Sequence, residues 1–463
     1  MKTPKRVLRY AEEHFQEVHH TTLNPEGPGV VRIHLVPPKV ENGEVGASVA
    51  IVNGQFIVPV NVSWSILLTE LIEQVNEYSG REISEEDMDQ IVRKTCKAVS
   101  KVYPLVGKWR FRKDIFRMMN AFKQIAYEEE VDEPIEYVRL GDYAPYMKAP
   151  HRMDLMVSAM TKEGRWHCNQ QCVHCYAAGQ AQSSEEELGT EDWKKIIDRC
   201  RSIGTPQVTF TGGEPTMRED LAELIDYAQW FVTRLNTNGV KLTPEYCKRL
   251  REASLDSVQI TFYSADEEVH NRLVGASHWK DTVAGIENAL AAGLNVSVNT
   301  PLCTLNRDYL ETLKFLRAKG VTYVTCSGLI TTGNAAKEAS ENLQLTNEEI
   351  RRILKSAVAY CAEQDMEISF TSPGWVGADF CEELGINTPS CGACLSNMAI
   401  TPGGNVVPCQ SWLSGKPLGN FLADEWETIW NSEECRTRRD FSASMRYECP
   451  LRILRVKEVR HED

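Results

Sequence analysis

The sequence predicts an α/β protein: a parallel sheet with helical crossovers, preceded by a small α+β module and followed by a cysteine-rich tail. Three observations predict it. From Met153 onward, short apolar runs alternate with longer stretches of helical periodicity. Before that point the strand-like segments come first and the helices after them. Beyond about residue 373, glycine, proline and cysteine become dense. The resulting partition is 1–131 for the α+β module, 132–152 for a linker, 153–372 for the alternating region and 373–463 for the tail.

Composition limits the function classes. The chain has 463 residues, 42% hydrophobic and 25% charged, enough for two or three globular domains. A net charge of −14 lacks the basic footprint of a nucleic-acid binder. The basic N-terminus has no apolar run, because Tyr10-Ala-Glu-Glu-His14 interrupts it, so no secretion signal is expected. The most apolar stretch, Phe56 to Leu68, is broken by Pro59 and Asn61 and is too short to span a bilayer. Fifteen cysteines without a secretion signal point to metal or redox chemistry in a reducing compartment. A cytoplasmic protein without a membrane partner is expected.

In the first module, Val30 to Leu35 alternates as a strand. Segments 47–52 and 55–60 flank Asn53-Gly54, a hairpin turn signal. Ser63 is a candidate cap for a helix carrying Ile66, Leu67, Leu71, Ile72 and Val75 and ending near Gly80. Ser84 with Asp87 opens a second helix as a capping box, and a third runs from Lys113 to Glu129. The run Lys108-Trp-Arg-Phe-Arg-Lys113 suits an acidic peptide, or is a solvated face. Scattered prolines without periodicity (Pro134, Pro145, Pro150) mark the linker.

Strands are then expected at Met153–Ala159, Gln207–Phe210, Thr233–Asn236, Ser257–Thr261, Asn295–Thr300 and Val321–Cys326. Helices are expected at Asp192–Ile203, Leu221–Trp230, Pro244–Ala253, Trp279–Ala292 and Tyr309–Lys319. Thr346 to Asp365 reads as a longer helix, with a closing strand at Glu367 to Thr371. After the first strand comes Cys168-Asn-Gln-Gln-Cys172-Val-His-Cys175, and after the second Gly212-Gly213-Glu214-Pro215. Three thiolates spaced C-x3-C-x2-C can converge on one metal centre, and three on a cubane cluster leave one iron open. Read alone, the loop also admits a structural zinc site or buried thiols. Glycines let backbone approach a ligand closely, and Pro215 fixes the turn.

Together these motifs identify a resemblance to the radical S-adenosylmethionine (radical SAM) superfamily, covering about Met153 to Ser372. The resemblance implies a partial (β/α)6 barrel with active groups at the C-terminal strand ends. It also implies a 4Fe–4S cluster on Cys168, Cys172 and Cys175. Its S-adenosylmethionine contacts fall at Gly212, Gly213 and Glu214, at His174 near adenine, and at Asn236, Asn238, Ser264 and Asn299. Each of these polar residues also has a bland reading, a surface loop histidine for His174 and a satisfied strand end for the others. An external one-electron reductant such as flavodoxin or ferredoxin is implied as a partner.

The tail holds Cys381, Cys391, Cys394, Cys409, Cys435 and Cys449. Cys391-Gly-Ala-Cys394 is a metal-type pair, Gly404-x4-Cys409 follows a glycine turn, and Met398 to Val407 reads as a hairpin. This resembles the auxiliary-cluster region of SPASM and twitch enzymes, which implies one auxiliary 4Fe–4S cluster on Cys391, Cys394, Cys409 and Cys449. Zinc has the same ligand count. The C-x2-C-x5-C-x3-C run of a second auxiliary cluster is missing, which leaves Cys381 and Cys435 unassigned. Each is open to three readings: a substitute ligand, a hydrogen donor, or an inert buried thiol.

The element order of residues 1–131 resembles a winged-helix precursor-peptide recognition domain, in which a leader peptide extends a sheet edge. The expected function is therefore radical modification of a ribosomally made precursor peptide: a thioether or other crosslink, or an inverted α-carbon. Sulfatase-maturase-like oxidation of a Ser or Cys is the alternative, although Gln410 stands where that family has an acidic residue. Cofactor biosynthesis, haem-pathway chemistry and a non-catalytic iron–sulfur carrier complete the readings.

Overall fold

The computed structural model describes residues 3–23, 30–38, 40–41, 43–46, 48–54, 56–79, 81–127, 129–132, 140–337, 342–444 and 447–452. It forms two compact units. One comprises Met1–His151 with Asp198–Gln207 and Trp230–Val232; the other comprises Arg152–Ile197, Val208–Gln229 and Thr233–Asp463.

The first unit carries a four-stranded antiparallel sheet, ordered His19–Leu23, Val31–Val36, Ser48–Val52, Phe56–Val60. The Asn53-Gly54 turn takes left-handed φ values of 49° and 72°, matching the twist of the hairpin it closes. Helices Val62–Asn76, Glu85–Val102 and Lys108–Ala126 follow, and Ile66, Ile91, Ile115 and Met118 bury in the common core. Ser84 and Asp87 make the expected reciprocal cap. The cap of the preceding helix is Asn61, not Ser63: its side chain accepts from Trp64 N–H at 2.9 Å, while the Ser63 hydroxyl donates to Asn61. The helix Lys5–His14 and the strand His19–Leu23 were not expected. Positions 47, 55, 80 and 134 of the sequence reading lie outside the described residues. The linker segment contains a short helix, Leu140–Tyr143, and a 3-10 turn, Ala144–Tyr146.

The second unit is organised on a ten-stranded sheet. From one edge its strands are Glu367–Phe370, Tyr323–Gly328, Asn295–Leu302, Ser257–Thr261, Val232–Thr237, Gln207–Gly212 and Arg152–Ser158. All six expected strands and the closing one are present, each within two residues of its expected start. Adjacent strands from Val232 to Phe370 pair in parallel, as βα alternation requires. The sheet continues past Arg152–Ser158 into the tail: Asn397–Ile400 pairs with it in parallel, and Asn405–Val407 and Gly419–Asn420 add antiparallel strands. The tail hairpin is thus continuous with the barrel sheet. Glu185 holds its turn, accepting from Thr401 Oγ1 at 2.5 Å, Gly403 N–H at 3.2 Å and Asn405 Nδ2 at 2.7 Å. Among the described residues, no helix is long and apolar enough to cross a membrane.

Candidate functional site

The cysteine loop follows the strand Arg152–Ser158 and has almost no secondary structure of its own, so its shape is imposed by neighbours. Two segments impose it. The helix Glu267–Val274, capped by Asp266, ends with its carbonyls aimed at the loop: Gln171 N–H donates to Val274 O at 2.9 Å and Val173 N–H to Leu273 O at 3.0 Å. Gly275 then leaves the helix at φ +64°, where a Cβ would stand 2.6 Å from Gln171 O. From the other side, Asn334 N–H donates to Cys175 O at 2.8 Å and Asn334 Nδ2 to Cys172 O at 3.1 Å. Gly333 is required beside it, at φ +57° with Cys175 O only 2.4 Å from a Cβ position.

The three thiols lie close enough to act on one another. Burial pushes the Cys168 thiol up to about 12, with Glu214 and Cys175 adding to the effect. Burial likewise raises Cys172, with Cys175 and Cys168 as the next contributors. Cys175 is also raised, by burial. Three half-buried thiols whose pKa values all rise with desolvation fit a site completed by positive metal.

The Gly212-Gly213 turn sits against the end of the first strand. Gly213 N–H donates to Ser158 O at 2.7 Å. A Cβ on Gly212 would meet that oxygen at 2.3 Å, and one on Gly213 would meet Ala159 O at 2.8 Å. Close strand–strand approach is what these glycines permit here. Glu214, expected among the cofactor contacts, engages both its oxygens within the protein. Oε1 accepts from Thr216 N–H, Thr216 Oγ1 and Thr237 Oγ1 at 3.0, 2.6 and 2.6 Å, and Oε2 from Asn238 N–H at 2.8 Å. Burial raises its pKa while these four bonds oppose the rise. Glu214 braces the ends of two neighbouring strands.

The other expected residues divide. Asn238 reaches the cysteine loop, Nδ2 donating to Asn169 Oδ1 at 2.6 Å. Asn236 and Asn299 lie on the sheet, half-buried, with Asn236 in register with Gln259 and Asn299 Oδ1 accepting from Thr325 Oγ1 at 2.8 Å. Ser264 Oγ accepts from Asp266 N–H at 3.1 Å and so supports the helix entry. His174 is buried, at 6% exposure, so the surface-loop reading fails. Its Nε2 lies 3.2 Å from the Tyr263 hydroxyl, and burial depresses its pKa to about 4, keeping the ring neutral. Tyr263 also hydrogen-bonds the Cys172 sulfur. Nothing local in the sequence marks Tyr263 or Asn334, because their partners are distant in the chain. The His174 Nδ1, Asn169 Nδ2 and Ser158 Oγ atoms are buried without a protein partner. Such orphans around a thiol triad are what a polar cofactor would satisfy.

In the tail, Cys409 is raised to about 12 by burial, with the neighbouring Cys391 and Cys449 next among the groups that raise it. Cys394 feels Cys409 as well, and adopts a left-handed φ of 56° that non-glycine residues rarely take. All four expected cysteines therefore fall in one neighbourhood, and their donor set fits an iron–sulfur cluster. Cys435, left unassigned by sequence, has Arg439 Nη1 3.5 Å from its sulfur and lies near Cys394, while Cys381 lies near Thr388. Tyr176 is half-buried, near enough to Cys175 and Cys409 to feel both sulfurs, and it packs on a cluster of Met156, Met160, Ala399, Val407 and Leu413.

Comparison with known proteins agrees with this geometry. Residues 167–316 match the family model of the radical SAM superfamily, and residues 391–451 match SPASM, an iron–sulfur cluster-binding domain. The mycofactocin maturase MftC of Mycolicibacterium smegmatis is 30% identical over 280 residues, 59% of this chain and 70% of that protein. The Fe-coproporphyrin III synthase of Methanosarcina barkeri is 33% identical over 182 residues, 38% of this chain and 45% of that protein. Among solved structures, Streptococcus suis SuiB bound to its precursor peptide SuiA superposes with a TM-score of 0.56 at 12% identity. That match covers 85% of this chain and 87% of SuiB.

Proposed function

From the premise that this chain belongs to the radical SAM superfamily, with a SPASM iron–sulfur domain and S-adenosylmethionine as cofactor, we propose that it is a peptide maturase. The observation that carries the reading is one continuous sheet to which two separate cysteine constellations belong, one after its Arg152–Ser158 strand and one around its tail hairpin. Cys168, Cys172 and Cys175 would hold one cluster, and Cys391, Cys394, Cys409 and Cys449 would hold the other. Bound there, the groups supply reductive cleavage of S-adenosylmethionine to a 5′-deoxyadenosyl radical, which takes hydrogen from an unactivated C–H bond.

The protein's own residues prepare that chemistry. Asn334 and the carbonyls of Leu273 and Val274 fix the loop that presents the thiolates. Gly212 and Gly213 bring the second strand end against the first. His174, kept neutral by burial, offers Nδ1 to the nucleoside. The tail hairpin, tied down by Glu185, extends the same sheet and carries Cys409. An auxiliary cluster there can take the electron left on a substrate radical, which suits crosslinking or oxidation of a peptide side chain.

The first unit supplies substrate selection in this reading. Its sheet has two outer strands, His19–Leu23 and Phe56–Val60, either of which a leader strand can extend. On the helix Lys108–Ala126, Trp109 is 67% exposed with the Arg110 guanidinium over its ring, next to exposed Arg112 and Lys113. Such a face suits an acidic leader. An external flavodoxin or ferredoxin completes the partners.

The test is anaerobic reconstitution with S-adenosylmethionine, dithionite and the product of a short open reading frame adjoining the gene. The proposal expects 5′-deoxyadenosine together with a peptide that has lost two hydrogens or exchanged an α-hydrogen for deuterium. The similarity to an Fe-coproporphyrin III synthase supports a second reading, tetrapyrrole chemistry. Formation of iron coproporphyrin III from a tetrapyrrole precursor, with the peptide left untouched, would decide for it.

A further inference from the structure

The parallel sheet of the second unit has two unlike faces. Leu235, Val258, Ile260, Val298 and Val324 are fully buried, and the crossover helix Trp279–Ala291 packs on their side. The positions between them are polar and half-buried: Arg234, Asn236, Gln259 and Asn299. Register and hydrogen bonds put these four on one face. Asn236 stands opposite Gln259, whose Nε2 donates past the intervening strand to Thr325 Oγ1 at 3.3 Å. Thr325 Oγ1 in turn donates to Asn299 Oδ1 at 2.8 Å. Arg234 precedes Asn236 by two residues on the same strand, opposite Ser257, and so shares that face. A parallel strand packed on both sides is apolar throughout, and a closed barrel fills its interior with branched aliphatic residues. This inner face is hydrophilic instead, which suits a polar guest.

Arg234 is the uncompensated charge on it. Among the described residues no hydrogen bond or ion pair reaches its guanidinium. Asp154, 1% exposed on the strand Arg152–Ser158, is already engaged: Arg152 Nε donates to Oδ1 at 2.8 Å and Nη2 to Oδ2 at 3.4 Å. Asp256 accepts from Thr233 N–H at 2.7 Å and from Thr233 Oγ1 at 3.2 Å. Burial works against the charge on Arg234, and the like charge of Arg152 adds to that. A guanidinium cannot shed its proton, so a half-buried one is costly until an anion faces it. Its planar fork fits a carboxylate with two parallel hydrogen bonds. Three residues of strand, about 10 Å, separate Arg234 from Thr237 at the strand end. Beyond that end Asn238 meets the cysteine loop.

We propose that Arg234 is a substrate-binding residue that sets specificity: its guanidinium receives a carboxylate of the precursor peptide. The residue modified then lies within about three positions of an Asp, a Glu or the C-terminus, the span that 10 Å of extended chain allows. The inference rests on the peptide-maturase reading above and names the group that the catalytic chamber selects.

The experiment is steady-state kinetics of the reconstituted full-length enzyme on the peptide encoded beside the gene, read by mass spectrometry. Peptides are made in which each Asp becomes Asn, each Glu becomes Gln, or the C-terminus becomes an amide, one change at a time. With unsubstituted enzyme, one of them should show a KM raised at least about tenfold, with a smaller change in kcat. Which one it is separates a side-chain carboxylate from the C-terminal one. Arg234→Gln should raise KM for the original peptide as much and lose nothing further with that amide peptide, because both changes remove the same interaction. Arg234→Lys should recover part of the affinity. A merely structural role for Arg234 would penalise the two peptides alike, and such additive losses overturn the proposal. So does a peptide that is modified with unchanged KM whichever carboxylate is removed, a result that needs no protein variant to fold. If instead no peptide is modified and iron coproporphyrin III forms, the maturase reading itself fails, and the proposal with it.

Discussion

The two cysteine sites are built in opposite ways. The loop at 168–175 concentrates its three thiols within eight residues, and the fold's task is to hold one short segment still. It does so with backbone hydrogen bonds from the helix end at Leu273 and Val274 and from Asn334. The tail site gathers sulfurs from positions 391, 394, 409 and 449, so its geometry depends on the segment entering a hairpin, the segment leaving it and the last described residues arriving together. A local site tolerates distant change; an assembled site reports on the folding of its whole module. Its strained Cys394 and its surplus Cys435 belong to that second kind.

This contrast can be broken most severely at the loop. Cys172→Ala should lower 5′-deoxyadenosine formation at least a thousandfold, a loss above 4 kcal/mol in barrier terms, with about four irons missing from the chain. Chromatographic assay of the nucleoside beside an iron count checks both. Next in size, Cys409→Ala should remove about four irons and reduce peptide product about a hundredfold, while cleavage of S-adenosylmethionine continues. If cleavage falls as far as in Cys172→Ala, the sites are not separable.

Smaller effects sharpen the comparison. Asn334→Ala removes one of two donors to Cys172 O, the Cys175 N–H at 3.2 Å remaining, which should destabilise the loop by about 1 kcal/mol. Faster iron release to a chelator at the loop site, with the auxiliary site unchanged, is the expected result. For pH, burial depresses His174 to about 4, below the 6.5 of an exposed imidazole. The unfolded chain therefore binds the extra proton first, and stability falls as pH drops from 6.5 toward 4. The His174 contribution is at most about 3 kcal/mol, and urea melts of His174→Gln should show a correspondingly flatter profile over that window. Least of all, Arg110→Glu with Lys113→Glu should weaken binding of an acidic leader about tenfold and leave nucleoside release unaltered, read by fluorescence anisotropy.

The same contrast explains what could be read in the sequence. Strands, helices and the cysteine loop are local patterns, and the structure places them within a few residues of expectation. The capping box expected at Ser84 is likewise local, and it forms. What escaped is non-local. Asn61 outcompetes Ser63 as a cap because its side chain reaches Trp64 N–H from one turn earlier. The parallel pairing of Asn397–Ile400 with Arg152–Ser158 joins segments some 240 residues apart, and no periodicity announces it. The helix Glu267–Val274 was missed, although Asp266 and Gly275 bracket it with cap signals that can be recognised. Tyr263 meets His174 across the barrel and lies in an ordinary strand exit. Glu214 illustrates a different limit: its place in the turn was evident, but its bonds to Thr237 and Asn238, which brace the next strand end, span more than twenty residues.

The central claim is that one cysteine site leaves an iron free for S-adenosylmethionine and the other does not. EPR of the reduced protein, recorded with and without S-adenosylmethionine, tests it most directly. The account predicts two overlapping signals of which only one moves on adding the nucleotide, and that moving signal persists in Cys409→Ala and vanishes in Cys172→Ala. Two signals that both move, or a moving signal lost with Cys409, would contradict it.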